Sequence, residues 1–337
     1  MGERVKVYVA TCLYYSGLVK LARWWMQRSG QRLIILNYHR ATGGDLRSHL
    51  LYLRRHYRML HLEEALEELY SSRGTERVRG RRTLLVLTFD DGYRDNYTHA
   101  FALACELRLP ITIFLVPGYV GSCSPFPWLE GERLATHTQV GKIAFEERIY
   151  RLDHPKGRNL VARAIDFRLR NAQSVAEREA FLTGVRRALA VSPSVTTEEE
   201  PMLPLTWDEI REMEESGWVS FGAHTMHHPM LANLEDPSEV DREVGQCRTL
   251  LEQKLGHPVR VFAYPFGQPK EVGDEGPRAA KTAGYDWILT TVYGINTPQT
   301  DPHQLHRMYG DVSRHWLVMA AQASGVMNRL MQFVLQR

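Results

Sequence analysis

Six short apolar runs, crowded with branched and aromatic side chains, punctuate the chain at residues 33–38, 84–89, 111–116, 218–223, 259–264 and 287–291. Runs without polar alternation are expected of strands buried on both faces, as in a parallel sheet covered by helices. Between them, apolar residues recur at three- and four-residue spacing over 48–57, 62–70, 96–107, 206–216, 238–255 and 276–283, which predicts helices. Alternating strand and helix makes this an α/β chain with a parallel sheet, open or closed. The rhythm breaks between residues 124 and 204. Helical patterns around 145–150, 159–170 and 176–189 precede a polar loop there, so the segment reads as a helical insertion rather than a separate domain. Helical extensions are expected at both ends, over 1–31 and 313–337, leaving 32–312 as the main unit.

The N-terminal extension sets Val5, Tyr8, Val9, Cys12, Tyr15 and Val19 at helical spacing, followed by Lys20, Arg23 and Arg28 with Trp24 and Trp25. One expectation is that this amphipathic helix packs its stripe on the body of the protein. The other is a helix lying on an anionic membrane surface, with cations and tryptophans at headgroup level. The uncharged stretch 7–19 is too short to span a bilayer, and no small-residue cleavage site follows it. The expected location is therefore the cytoplasm, with the inner membrane surface as the alternative. At the other end Trp316, Ala320, Ala323, Met327, Leu330 and Val334 form a stripe expected to pack on the body.

Composition narrows the function classes. With 337 residues and 44% apolar content, a sizeable core can form and global disorder is excluded. A net charge of only +3, with no block of like charge, argues against nucleic acid as the partner. The cysteines (Cys12, Cys105, Cys123, Cys247) form no Cys-x-x-Cys pair, which argues against a thiolate zinc site or a disulfide framework.

Most of the apolar runs end in a residue able to do chemistry. His39 follows the first, Asp90 and Asp91 the second, His224 the fourth, and Tyr264, Pro265, Phe266 and Gly267 close the fifth. In parallel α/β architectures the C-terminal strand ends open onto one face, so these residues would meet there, and a barrel is favoured. Asp-Asp-Gly also makes ordinary turns, yet two carboxylates directly after a buried strand are costly without a partner. His224 and His228 are four apart, so on a helical turn both imidazoles face one way and His227 points elsewhere. Among 14 histidines such a pair alone is more often surface decoration. Two imidazoles and one carboxylate are, however, a common ligand set for a divalent metal with an open position, and Asp91 is the natural third ligand. Tyr93, Tyr264, Phe266 and Trp287, near run ends, are candidates to stack on sugar rings.

Thr88, Phe89, Asp90, Asp91 and Gly92, with His224 through His228, resemble the first two motifs of the polysaccharide deacetylases, the NodB-homology or carbohydrate esterase family 4 group. The resemblance runs from about Leu33 to Gly310, the insertion excepted. It implies a distorted (β/α) barrel and metal-dependent removal of acetyl groups from an N-acetylated glycan. It also implies Asp90 as general base, with Asp91, His224 and His228 as ligands of a divalent metal, most often zinc. The third motif departs from the family's Arg-x-Pro-Tyr-Gly, since Ala263 stands where the arginine that orients the base would be. Arg307 is a candidate replacement from another strand end, and the backbone N–H of Phe266 remains available to an oxyanion.

Tyr264 to Gly267, together with Asn37, Tyr38, His39 and Arg40 ahead of the Asp motif, resemble a circularly rearranged subgroup that acts on poly-N-acetylglucosamine and related exopolysaccharides. That resemblance implies His39 as the acid protonating the leaving amine, with Tyr264 and Phe266 at the oxyanion and substrate. His303 and His306 compete for the acid role, since they lie where the family's usual last motif would fall. Two other functions remain open: hydrolysis of a small non-polymeric amide at the same metal site, and an inactive sugar-binding member.

Overall fold

The computed structural model describes residues 2–71, 82–145, 148–192 and 195–327. Seven parallel strands close into a barrel: β1 (Leu33–Tyr38), β2 (Leu84–Phe89), β3 (Ile111–Leu115), β4 (Val219–Ala223), β5 (Val261–Ala263), β6 (Trp287–Tyr293) and β7 (Leu305–Tyr309). β7 lies between β6 and β1, and β1 closes the ring against β2 in a register running from Leu33↔Leu84 to Tyr38↔Phe89. All six apolar runs form barrel strands. β7 has no counterpart among them, because Leu305, His306, Arg307, Met308 and Tyr309 mix charge with apolar bulk.

Side chains alternate across each strand, and the alternation builds two layers. Leu33, Ile35, Leu84, Val86, Phe114, Val261 and Leu305 fill the lumen as one cluster, floored by Leu62, Ala65, Leu66 and Leu69 of the helix Leu62–Ser71. The intervening Ile34, Leu36, Leu85, Leu87, Phe262 and Met308 pack under the surrounding helices. Gly222 is required inside: a Cβ there would lie 2.5 Å from Phe114 and 2.7 Å from Val261. Continued upward, the lumen-facing register carries Asn37 to His39, Thr88 to Asp90, Gly222 to His224, and Leu305 to Arg307. An apolar floor at the strand starts thus becomes a polar mouth at their ends.

The N-terminal extension is two helices rather than one. α1 (Glu3–Tyr15) and α2 (Leu18–Arg28) are broken at Gly17, whose φ of +83° suits glycine. Ala10, Leu13 and Val19 are buried against Leu317, Val318 and Ala321 of the helix Trp316–Ala323. Most of the stripe predicted from spacing faces outward instead: Val5, Tyr8 and Tyr15 are 50%, 71% and 76% exposed. Small side chains on the inner face, such as Ala10 against Ala321, let the helices approach closely and leave the bulky rings outside. In the C-terminal stripe, Ala320, Ala323 and Met327 are buried, whereas Leu330 and Val334 lie outside the described residues.

The insertion holds its own small core, with Leu134, Ile143, Val161, Ile165, Leu182 and Leu189 in contact. Its helices Pro155–Arg170 and Val175–Leu189 match the periodicity. The helix expected around 145–150 is instead an antiparallel hairpin of Lys142–Phe145 with Arg148–Arg151. Ile143 inward and its exposed neighbours follow a period of two, and Phe145 packs against Phe181.

Candidate metal centre and catalytic site

The two motifs reach each other through backbone that leaves regular structure as soon as the strands end. Asp91 and Gly92 both take left-handed conformations (φ +75° and +76°), which turn the chain sharply after β2. Thr225 and His228 do the same after β4 (φ +61° and +58°), and Thr225 Oγ1 accepts from the His228 N–H. His224 and His228 therefore converge through a tight loop, not the helical turn their spacing suggested. His224 Nε2 and His228 Nε2 each lie 3.4 Å from Asp91 Oδ1, and all three residues are buried.

The donor set suits a cation. The Ala263 carbonyl, 2.7 Å from His224 Nδ1, can only accept, so in the neutral ring Nδ1 carries the proton and Nε2 turns a lone pair towards Asp91. Asp91 Oδ1, buried, accepts no hydrogen bond from the described residues. Burial also pushes the His228 imidazole down to about 3, keeping it neutral. Lone pairs from one carboxylate and two neutral imidazoles converge on one point, which is unfavourable unless a positive ion occupies it. One potential ligand atom from each residue falls within 4.8 Å of the others.

Asp90 has a separate environment. Arg307 Nη1 donates to Asp90 Oδ1 at 2.8 Å, while its Nε donates to the Thr290 carbonyl. Burial alone would raise the Asp90 carboxyl, but Arg307, His224 and His39 outweigh it and hold the group below the usual carboxylate range. Arg307 thus supplies the guanidinium that Ala263 cannot. Asp90 Oδ2 stays 4.0 Å from His224 Nε2, beside the triangle rather than in it.

The profile of the family described as Polysaccharide deacetylase matches residues 77–288. The chain belongs to that family. The match takes in Asp90, Asp91, His224 and His228 but stops short of His39 and Arg307, so the base's counter-ion lies on a strand outside it. YxkH of Bacillus subtilis (strain 168), assigned by name to the polysaccharide deacetylases, is 28% identical over 104 residues. That alignment covers 31% of this chain and only 36% of the relative. Among solved structures, IcaB from Ammonifex degensii superposes with a TM-score of 0.56 at 19% identity, covering 88% of this chain and 98% of that one. The Streptococcus pyogenes deacetylase PplD, solved with acetate, gives 0.53 at 18%, covering 86% and 97%. The deacetylase domain of Bordetella bronchiseptica BpsB gives 0.50 at 18%, covering 84% and 97%. At these identities the likeness is one of fold, and the fold is the distorted (β/α) barrel expected of polysaccharide deacetylases.

The remaining candidates divide by which end of the barrel holds them. His39 follows β1 at the mouth, its ring 6.1 Å from that of Tyr309, and a proton on it would act on Asp90, Asp91 and His228. Asp95 fixes the segment behind it: fully buried, its Oδ2 accepts from Arg40 Nε, the Ala41 and Thr42 N–H groups and Thr42 Oγ1. Phe266 (φ +61°) sets its ring 5.1 Å from that of His228, beneath the Arg170 guanidinium. Tyr93 is buried beside Asp91 and accepts from Trp128 Nε1 at 2.8 Å.

Three expectations are corrected. The Tyr264 side chain lies one residue beyond the lumen-facing Ala263, so alternation sends it outward into the core beside Phe262, away from the site. His303 and His306 sit before and early on β7, at the floor end of the barrel, and His306 faces away from the lumen beside Gly294. Trp287 begins β6 at that same end, under Arg260.

Several residues at the site had no signal in the sequence. Trp128, from the insertion, lays its ring 4.3 Å from that of His228. Arg178, also from the insertion and 5% exposed, donates to the carbonyls of His227 and His228 and to Tyr119 Oη. Glu243 accepts from the His227 N–H and faces its Nδ1, which turns that ring away from Asp91. The loop from His224 to His228 is thus held from both sides, by Arg178 of the helix Val175–Leu189 and Glu243 of the helix Pro237–Leu255.

Proposed function

We propose that the protein removes acetyl groups from an N-acetylated glycan, an exopolysaccharide or its lipid-linked precursor, by metal-assisted hydrolysis. The observation that carries this reading is the division of two adjacent carboxylates. Asp91 joins His224 and His228 in a buried triangle, while Asp90 is held apart and ionised by Arg307. A divalent ion held by Asp91, His224 and His228, zinc by the chemistry of the donor set, would polarise the acetyl carbonyl and acidify a water. Every other step falls to the chain's own groups.

Asp90, ionised and within the mouth, takes a proton from the attacking water as its oxygen bonds to the acetyl carbon. The Phe266 N–H, which no acceptor among the described residues takes, is free for the developing oxyanion. His39 gives a proton to the nitrogen as the carbon–nitrogen bond breaks, leaving acetate and a free amine. That PplD was solved with acetate accords with this product. Trp128 and Phe266, both ring neighbours of His228, offer apolar faces for an acetyl methyl or a sugar ring.

Acetate release from N-acetylglucosamine oligomers tests the reading. Activity should need added divalent metal and be lost with chelator and with Asp90→Asn. Protein that holds metal yet releases no acetate from any oligomer would refute the glycan assignment and turn attention to small amides.

A further inference from the structure

Independently of the catalytic reading, we infer that the outer face of α1 and α2 is a docking surface for an anionic lipid bilayer. Seven of the thirteen large, exposed hydrophobic side chains among the described residues lie on these two helices. On α1 they are Val5, Tyr8 and Tyr15, recurring at the spacing of one helical face. On α2 they are Leu18, Leu21, Trp24 and Trp25, the tryptophans 45% and 58% exposed. The opposite faces of both helices are occupied, since Ala10, Leu13 and Val19 pack on the helix Trp316–Ala323. The exposed stripe is therefore surplus to what holds these helices in place.

Charge identifies the occupant. Residues 2–28 carry Arg4, Lys6, Lys20, Arg23 and Arg28 against Glu3 alone. Lys6 is taken up by Glu3, and Arg23 donates to Tyr52. Arg4, Lys20 and Arg28 stand exposed beside the apolar stripe, Arg28 with its guanidinium 4.2 Å from the Trp24 ring. Cations and tryptophans flanking a bulky apolar stripe match a headgroup layer: the rings sit at the acyl boundary and the cations meet lipid phosphates. No described helix is long and apolar enough to cross a membrane, so the surface lies on the bilayer rather than in it. The helix Trp316–Ala323, which carries α1, follows the loop leaving the C-terminal end of β7, the end where the site opens.

The test is co-sedimentation of the full chain with vesicles of pure phosphatidylcholine, or with about one-third phosphatidylglycerol, at low and high salt. Binding should be at least tenfold stronger to the anionic vesicles and should weaken with salt. Trp24→Ser/Trp25→Ser should lower it at least tenfold while acetate release from soluble oligomers is unchanged. Lys20→Glu/Arg28→Glu, which leaves the apolar stripe intact, should remove the preference for anionic lipid. Absence of binding to either vesicle, or binding unaffected by both variants, would overturn the proposal. So would a dimer in solution that dissociates on Trp24→Ser/Trp25→Ser without vesicle binding, since a second copy would then cover the face. Matched circular dichroism spectra of the variants and the parent exclude unfolding as the cause.

Discussion

Replacing Arg307 by Met removes the only guanidinium among the described residues that reaches the proposed base. Arg307 and Asp90 are both almost fully buried and 2.8 Å apart, so the variant leaves a carboxylate with no screening from solvent. Breaking a buried pair by deleting one partner costs about 3–5 kcal/mol. The Thr290 carbonyl also loses its donor, adding about 1 kcal/mol or more. A total near 5 kcal/mol should lower the melting temperature by roughly 10 °C, short of unfolding a typical domain.

The pH dependence separates this mechanism from a general packing defect. In the parent, Asp90 is held below its usual range, so its carboxylate contributes stability above the unfolded carboxylate pKa, and this is lost only as pH falls through the folded value. Without Arg307, burial dominates and raises the group above its unfolded value. Its contribution is then favourable at low pH and lost as pH rises. The stability gap between parent and variant should therefore be wide at about pH 8 and narrow at about pH 5. Activity, which needs the ionised base, should show its acid limb displaced upward, with partial recovery at alkaline pH. Arg307→Lys should restore part of the stability, because a point charge replaces Coulomb attraction but cannot serve Asp90 and Thr290 together. Equal gaps at both pH values, or an unmoved acid limb, would refute the reasoning.

Arg178→Met should weaken zinc or cobalt binding about 10- to 100-fold, because the carbonyls of His227 and His228 lose their shared donor. Metal titration followed by the cobalt visible spectrum measures this, and unchanged affinity would count against a positioning role. The His228 imidazole, pushed down to about 3 by burial, should stay neutral in metal-free protein through the range near pH 6.5 where a solvated ring titrates. Proton NMR of the ring follows it, and a midpoint near 6.5 would show that water reaches the site. Tyr264→Phe should leave turnover unchanged and stability equal or raised by up to about 1 kcal/mol, since the buried hydroxyl has no partner among the described residues. A marked fall in turnover would restore Tyr264 to the substrate site.

The barrel was legible because both faces of its strands are buried, which writes them as unbroken apolar runs, and because the chemistry follows directly where those runs end. β7 escaped for the same reason in reverse. Its lumen face carries Arg307 above Leu305, and the Arg307 charge is answered by Asp90 far away in sequence, so the strand does not read as apolar. The N-terminal stripe shows another limit. Spacing defines a helical face, but whether that face is covered depends on the partner, here the helix Trp316–Ala323, which receives Ala10 and Leu13 of α1 on Leu317, Val318 and Ala321. Trp128 and Arg178 could not be found, since nothing near them in the chain marks the loop they contact. The resemblance that put Tyr264 at the substrate carries no strand register, and the period of two sets its side chain opposite Ala263.

The Asp90–Arg307 pair joins residues 217 positions apart, between the second and the last barrel strands to be made. As the chain leaves the ribosome, Asp91, His224 and His228 are all present some eighty residues before Arg307 appears. Asp90 thus has no guanidinium beside it until β7 takes its place between β6 and β1. Closing the ring and pairing the Asp90 carboxylate are therefore one event, because the strand that completes the barrel also carries the counter-ion.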